Sequence, residues 1–231
     1  MAPVILSIEG NIGSGKSTIL RFLHENNHSK DILYLAEPVD KWSNIKDENG
    51  VTILEHFYQD PNKHSFMFQI MAFATRLQIL KDAIEQNPEV KVIICERSIL
   101  ADKMVFASML HNDGLIDKMG ITIYNTMADN YLKDYPLNGV IYIDAEAEIC
   151  CNRIKKRNRD GESNIELSYL KKCKEYHDNW LLKYKRYKSV PETSDEVMLM
   201  HIKTNEDSNF DNNDISRKWL ADIKIYIDNF L

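Results

Sequence analysis

The 231-residue sequence has no run of apolar residues long enough to span a bilayer, so a helical membrane protein is excluded. Its four cysteines, Cys95, Cys150, Cys151 and Cys173, form no C-x-x-C pair and no metal-ligand spacing. They read as reduced, mostly buried thiols of an intracellular protein. No secretory leader is visible and the first predicted strand starts almost at the first Met, so the expected location is the cytoplasm. Internal repeats, low-complexity tracts and linkers are absent, and one domain over residues 1–231 is expected. Positive charge is in deficit: 29 Lys and Arg against 35 Asp and Glu give a net charge of −6. That balance argues against nucleic acid as a general partner. An anionic small ligand would need locally concentrated cations, which makes clustered Arg and Lys informative.

What is present is first of all a P-loop. The apolar run Val4–Ile8 feeds Gly10-Asn11-Ile12-Gly13-Ser14-Gly15-Lys16-Ser17-Thr18, and a helix-forming segment follows. Glycines in such a turn let backbone N–H groups converge on phosphate oxygens where a side chain would intrude. Lys16 adds a mobile positive charge, and the Ser17 hydroxyl can ligate Mg²⁺. The motif implies a bound nucleoside triphosphate, ATP or another NTP. It does not decide between kinase, switch, motor and ATP-holding scaffold.

The rest of the chain alternates strands and helices. Strands are predicted over Val4–Ile8, Ile32–Leu35, Lys91–Cys95, Gly139–Ile143 and Val197–Ile202. Helices are predicted from Ser17 to about Asn27, Val51 to Tyr58, Ser65 to about Asn87, about Ala101 to Asn112 and about Ile121 to Leu132. Further helices are predicted from Glu146 to about Arg159, from Glu166 to Tyr187, and at the C-terminus, ending near Phe230. Gln59-Asp60-Pro61-Asn62 reads as a helix break, and Pro88 as the end of the Ser65 helix, whose apolar residues Phe66, Ile70, Phe73, Leu77, Leu80 and Ile84 fall at helical spacing. This alternation implies an α/β fold, a five-stranded parallel sheet with helices on both faces. Ligands of such sheets sit outside the carboxyl ends of the strands. That rule selects the P-loop, Glu37, Glu96-Arg97, Asp144 and the loop from Lys203.

Phosphoryl transfer to a hydroxyl needs positioning, charge neutralisation and a group that takes the proton. Glu37, before Pro38 at a strand end, and Glu96 are the candidates; taken alone, Glu37 could be a solvated loop residue. Arg97 can orient an acceptor oxygen or neutralise the transferring group, although an acid–Arg pair at a strand terminus can equally be a structural ion pair. Arg153, Arg157 and Arg159, before the loop Asp160–Asn164, fit a lid of about residues 153–165 that closes over phosphates. A bare charge run is more usually a solvated face. A GTPase switch is disfavoured: Asp117-Lys118-Met119-Gly120 matches D-x-x-G between helices, and the guanine-reading N-K-x-D is absent.

These residues resemble the deoxynucleoside kinases of the deoxycytidine/deoxyguanosine kinase group. The likeness rests on Ser7–Thr18, Glu37-Pro38-Val39 with Trp42, Ser65-Phe66-Met67-Phe68-Gln69, Glu96-Arg97-Ser98 and Arg153–Arg159, in the family's order and spacing. It implies the P-loop kinase fold and transfer of a γ-phosphoryl group to the 5′-hydroxyl of a deoxynucleoside in nucleotide salvage. By resemblance, Glu37 is the general base, Arg97 holds the hydroxyl, and Glu96 is the acid associated with Mg²⁺ or an alternative base. Gln69 reads the base edge, and Tyr58 with Glu162 holds the 3′-hydroxyl. Ala72, Arg76 and Asp102 tune the base pocket, favouring deoxyguanosine, deoxyadenosine or deoxycytidine over thymidine. The loop Asn205–Phe210, with Glu206 and Asp207, resembles the one around the ATP base, its aromatic residue displaced by two positions. The family is commonly dimeric, so a homodimer is expected. Competing readings are a thymidylate kinase-like monophosphate kinase and a catalytically silent structural subunit of the same fold.

Overall fold

The computed structural model describes residues 2–159, 161–183, 197–205 and 214–231. Five parallel strands form one sheet: β1 (Val4–Gly10), β2 (Ile32–Leu35), β3 (Val92–Glu96), β4 (Gly139–Asp144) and β5 (Met198–Lys203), in spatial order 2-3-1-4-5. The three inner strands are buried on both faces and are accordingly rich in Val and Ile. Side chains alternate between two cores. Leu6, Ile8, Val92, Ile94, Ile141 and Ile143 pack with α1 (Lys16–Asn26) and α10 (Asp214–Asp228). Ile5, Ile93, Cys95, Val140 and Tyr142 face the larger helical layer, which includes α4 (Pro61–Gln86) and α7 (Lys118–Asp134). The register brings Ile8 beside Glu96 and Gly10 beside Ile143, so the strand ends open on one cleft.

Local chemistry sets the connections. Between β2 and α4 lie α2 (Val39–Ser43), which the sequence pattern did not indicate, and α3 (Ile53–Gln59), which opens on a Thr52–Glu55 capping box. The expected break at residues 59–62 shrinks to one residue: the Asp60 side chain caps α4 and Pro61 occupies its first turn, where its missing N–H costs nothing. The predicted helix 101–112 begins earlier, as α5 (Ile99–Ala101), widens into a π-helical turn over Asp102–Ala107, and ends as α6 (Ser108–Asn112). Asp117 of the D-x-x-G tetrad is the N-cap of α7, accepting from Gly120 N–H.

α8 (Ala147–Arg157) closes at Asn158 in the left-handed conformation, and a 3₁₀ turn covers Glu162–Asn164. α9 (Leu167–Asp178) runs into a π turn at Asn179–Lys183. Glu206 and Asp207, and the end of the helix expected to reach Tyr187, lie outside the described residues. No helix among the described residues is long and apolar enough to cross a membrane. Cys95, Cys150 and Cys173 are buried thiols, as expected, and Cys151 is half-buried.

Candidate active site

The donor end of the cleft is built from backbone. β1 ends at Gly10, where φ is +144° and an added Cβ would stand 2.3 Å from the Ile143 carbonyl oxygen. At Gly13 a Cβ would meet the Cys150 carbonyl at 2.7 Å. Gly15, at φ +104°, has no protein atom within 4 Å of its missing Cβ and leads directly into α1. A turn this tight, ending at a helix N-terminus, presents N–H groups to an anion. Gly10 and Asn11 lie behind it; Asn11 anchors the loop by donating to Leu170 O at 2.8 Å, and its own carbonyl accepts from Lys16 Nζ at 2.8 Å. Burial pulls the Lys16 ammonium down to about 8, with Arg97 adding repulsion against the attraction of Glu96 and Glu37. A triphosphate placed beside Lys16 would reverse that balance.

The cleft beyond the loop has a volume of about 520 Å³ and reaches Glu37, Tyr58, Gln69, Arg76, Asp102 and Glu162. Ile12 to Thr18, Trp42, Ala72, Glu96, Arg97, Arg153, Arg157 and Arg159 also line it, so the predicted site residues within the described chain converge there, apart from Gly10, Asn11 and Asp144. Its floor is a charge network. Glu37 Oε1 accepts from Arg76 Nη2 at 3.2 Å and pairs with Arg97 Nε at 3.2 Å. Burial would raise the Glu37 carboxyl, but Arg97, Arg76 and Lys16 outweigh it and hold it at about 2. Arg76 also forks onto Asp102, Nε to Oδ2 at 2.9 Å and Nη2 to Oδ1 at 3.2 Å. The π turn sets Asp102 where α4 can reach it. Burial pushes the Asp102 carboxyl up while Arg76 pulls it down.

Trp42 supports this network from below: its ring lies 5.6 Å from the Arg76 guanidinium, and its Nε1 donates to Thr75 Oγ1 at 2.9 Å. Gln69 is buried, and its Oε1 has no hydrogen-bond partner. A buried amide oxygen left unpaired is costly, and this one belongs to a residue that lines the cleft, where a ligand could pair with it. Ser17 Oγ donates to Glu96 Oε1 at 2.5 Å, bringing a hydroxyl and a carboxylate together beside the phosphate loop. Oxygen donors of this kind suit Mg²⁺, which takes few protein ligands and completes its shell with phosphate oxygens and water.

The three arginines of the expected lid are engaged in two ways. Arg153 donates to Ser14 O at 3.2 Å and Thr204 O at 2.9 Å, bracing the phosphate loop. Arg157 pairs with Glu162 Oε2, and Arg159 Nη1 reaches Glu162 Oε1 at 3.3 Å. Glu162 therefore joins the lid to the acceptor wall, facing the same cleft as Tyr58. Asp144 turns elsewhere: it pairs with Lys174 at 2.7 Å and His201 at 2.9 Å and does not line the cleft.

Several lining residues escaped the sequence reading. Phe57 and Phe68 stack with centroids 4.6 Å apart, and Tyr169 and Phe106 complete an aromatic wall. They come from α3, α4, α9 and the π turn, and no local motif joins them. His177 is a second omission: its ring lies against Arg97, Nε2 to Nη1 at 3.5 Å, and burial with Arg97 beside it keeps the imidazole neutral. Glu9 is a third, and it left a signal, being a carboxylate in a central strand whose burial otherwise calls for apolar residues.

The sequence profile of the family described as deoxynucleoside kinase matches residues 6–222. A probable deoxycytidine kinase of Fowlpox virus is 34% identical over 178 residues, 76% of this chain and 71% of that protein. The deoxycytidine kinase of Mus musculus is 33% identical over 221 residues, covering 87% of this chain and 84% of its own length. The mitochondrial deoxyguanosine kinase of Xenopus laevis is 30% identical over 232 residues, covering 90% and 83%. A cleft that joins a phosphate loop to a carboxylate between two arginines, on a chain matched over this length, identifies a kinase that belongs to the deoxynucleoside kinase family.

Proposed function

We propose that the protein transfers the γ-phosphoryl group of ATP to the 5′-hydroxyl of a deoxynucleoside, preferring deoxyguanosine, deoxyadenosine or deoxycytidine to thymidine, in cytoplasmic nucleotide salvage. The observation that carries this reading is the unpaired Gln69 oxygen in a cleft shared with the P-loop. It supplies a hydrogen-bonding edge for a base at the end remote from the phosphates. Beside it, the Arg76–Asp102 pair offers donors and acceptors to an amino or keto group and narrows the room for a methyl.

Between base and phosphates stands Glu37. Ionised and flanked by cations, it is a weak base, and it takes the 5′-hydroxyl proton late, as that oxygen bonds to phosphorus and its acidity rises. Arg97 holds the same oxygen and balances the developing charge. Tyr58 and Glu162 receive the 3′-hydroxyl. Lys16, Arg153, Arg157 and Arg159 neutralise the triphosphate as the lid closes, and Glu206 and Asp207 serve its base. Mg²⁺, held by Ser17 and associated with Glu96, supplies charge neutralisation at the β- and γ-phosphates when bound.

We further propose a homodimer. Met67 of α4 and Met119 and Ile123 of α7 are 49%, 69% and 52% exposed on helices that touch, and a second copy would cover them. The four unpaired thiols support a reducing compartment.

The test is a product assay with ATP and each of the four deoxynucleosides and their monophosphates. Formation of deoxynucleoside 5′-monophosphates, with thymidine showing the lowest kcat/KM, is expected. Activity on monophosphates alone would replace this reading by a thymidylate kinase-like one, and thymidine as best substrate would overturn the pocket argument. No turnover on any acceptor would point to the silent subunit, an outcome opposed by the intact Lys16, Glu37 and Arg97.

A further inference from the structure

We propose that Glu9, which touches neither end of the cleft, is a positioning residue that holds Arg97 in register with the P-loop; the proposal rests on the phosphoryl-transfer reading above. Arg97 has φ of +63°, a left-handed conformation that a side chain disfavours, and among the described residues Asn158 is the only other non-glycine with positive φ. Something must hold that turn. Arg97 N–H donates to Ile8 O at 3.1 Å, and the next residue is gripped by the neighbouring Glu9. Glu9 Oε1 accepts from Ser98 N–H at 2.8 Å and from Ser98 Oγ at 2.7 Å. Ser98 Oγ in turn accepts from Ala101 N–H at 3.0 Å and caps α5, the helix that leads to Asp102.

The clamp joins the two halves of the site through adjacent residues. Glu9 precedes Gly10, the first glycine of the phosphate loop, and Ser98 follows Arg97, the cation beside Glu37. The Glu9 side chain is 0% exposed and lies on the sheet face that carries Ile5 and the helical layer. An isolated carboxylate there has no packing role that Leu or Val would not fill better. What it offers is one acceptor oxygen for two donors that would otherwise be orphaned at a strained turn. A displacement of Arg97 by a fraction of its hydrogen-bond length would misplace the acceptor hydroxyl relative to the phosphorus.

The experiment compares wild type with Glu9→Ala, Glu9→Gln, Ser98→Ala and the Glu9→Ala/Ser98→Ala double variant, using ATP and deoxycytidine. Glu9→Ala is expected to lower kcat roughly 10²-fold. Calorimetric affinity for ATP with Mg²⁺ should stay within about threefold of wild type, because the clamp acts on Arg97 and not on the phosphate cradle. Glu9→Gln, which keeps an acceptor oxygen, is expected to recover at least about tenfold of that loss. Ser98→Ala should cost less kcat in the Glu9→Ala background than alone, since both act through one contact. A crystal structure of Glu9→Ala should show Arg97 out of the left-handed region, a result that does not depend on turnover.

Equal losses for Gln and Ala, a parallel fall in ATP affinity, additive losses, or an unmoved Arg97 would each overturn the proposal. If Glu9→Ala does not fold, Glu9→Gln with near wild-type kcat beside an impaired Ser98→Ala supports it, and the reverse overturns it. Failure of wild type to phosphorylate any deoxynucleoside would instead overturn the parent reading, and the Arg97 geometry would still decide this one.

Discussion

The two ends of the cleft are made in different ways. The donor end is a contiguous backbone turn, in which glycines at φ +144°, +77° and +104° clear space, Lys16 supplies a cation and Arg153 braces the loop from outside. The acceptor end is made of side chains gathered from α2, α3, α4, the end of β3, the π turn and the lid. The first end is tuned by what is missing, the Cβ atoms. The second is tuned by charge, with Glu37 shared between Arg76 and Arg97 and Arg76 shared between Glu37 and Asp102. A backbone cradle accepts any triphosphate of the right shape, whereas a side-chain network can discriminate a base and a hydroxyl. Under the proposed function, specificity resides in the acceptor end and affinity for phosphate in the donor end.

The sharpest way to break that division is Glu37→Gln. It keeps the shape of the acceptor site and removes the proton acceptor, so kcat should fall roughly 10²–10⁴-fold, with ATP affinity nearly unchanged. Near-normal turnover would move the role to Glu96. Next is Asp102→Ala, which leaves the buried Arg76 fork without its carboxylate. Denaturant melts should show a loss of about 3–5 kcal/mol, and the ranking of the four deoxynucleosides by kcat/KM should change. Unchanged ranking would remove the base pocket from this pair.

At the donor end, Gly10→Ala puts a Cβ 2.3 Å from the Ile143 oxygen and should cost about 2–5 kcal/mol of stability. Gly15→Ala meets no neighbouring side chain, but at φ +104° any Cβ strains the backbone, so a stability loss of about 1–2 kcal/mol in denaturant melts should accompany weaker ATP binding measured by calorimetry. The smallest effect is in pH. Glu37 is held at about 2, below its ordinary 4.5, so its ionised form stabilises the fold fully above pH 4.5 and loses that contribution as pH falls toward 2. The stability gap between wild type and Glu37→Gln should therefore narrow from about pH 5 to about pH 3. A gap that widens on acidification would contradict the charge network.

The same contrast explains what the sequence could reveal. The sheet was legible because its strands are short apolar runs between helical periods: β2 falls where expected, β1 and β4 run one or two residues longer, and β3 and β5 are shifted by one residue. The donor loop was legible because its residues are neighbours along the chain. Glu37, Glu96 and Arg97 could be picked out by their strand-end positions alone. Their shared geometry could not, since the fork from Arg76 spans 26 residues to Asp102 and 39 to Glu37.

The aromatic wall was invisible because Phe57, Phe68 and Tyr169 look like ordinary core residues of three separate helices. Asp60-Pro61 misled for a different reason: the residues that end one helix are those that start the next, and Pro serves both readings. Asp144 sits at the expected strand end, yet Lys174 and His201 draw it into an ion-pair network away from the cleft.

The division of labour is tested most directly by measuring ADP release from ATP with and without a deoxynucleoside, alongside the 5′-monophosphate formed. If the acceptor end positions a nucleoside hydroxyl beside Glu37 and no water in line with the phosphate, ADP release rises only when deoxycytidine or a purine deoxynucleoside is added and matches the monophosphate one for one. ADP release at the same rate without a nucleoside would contradict it.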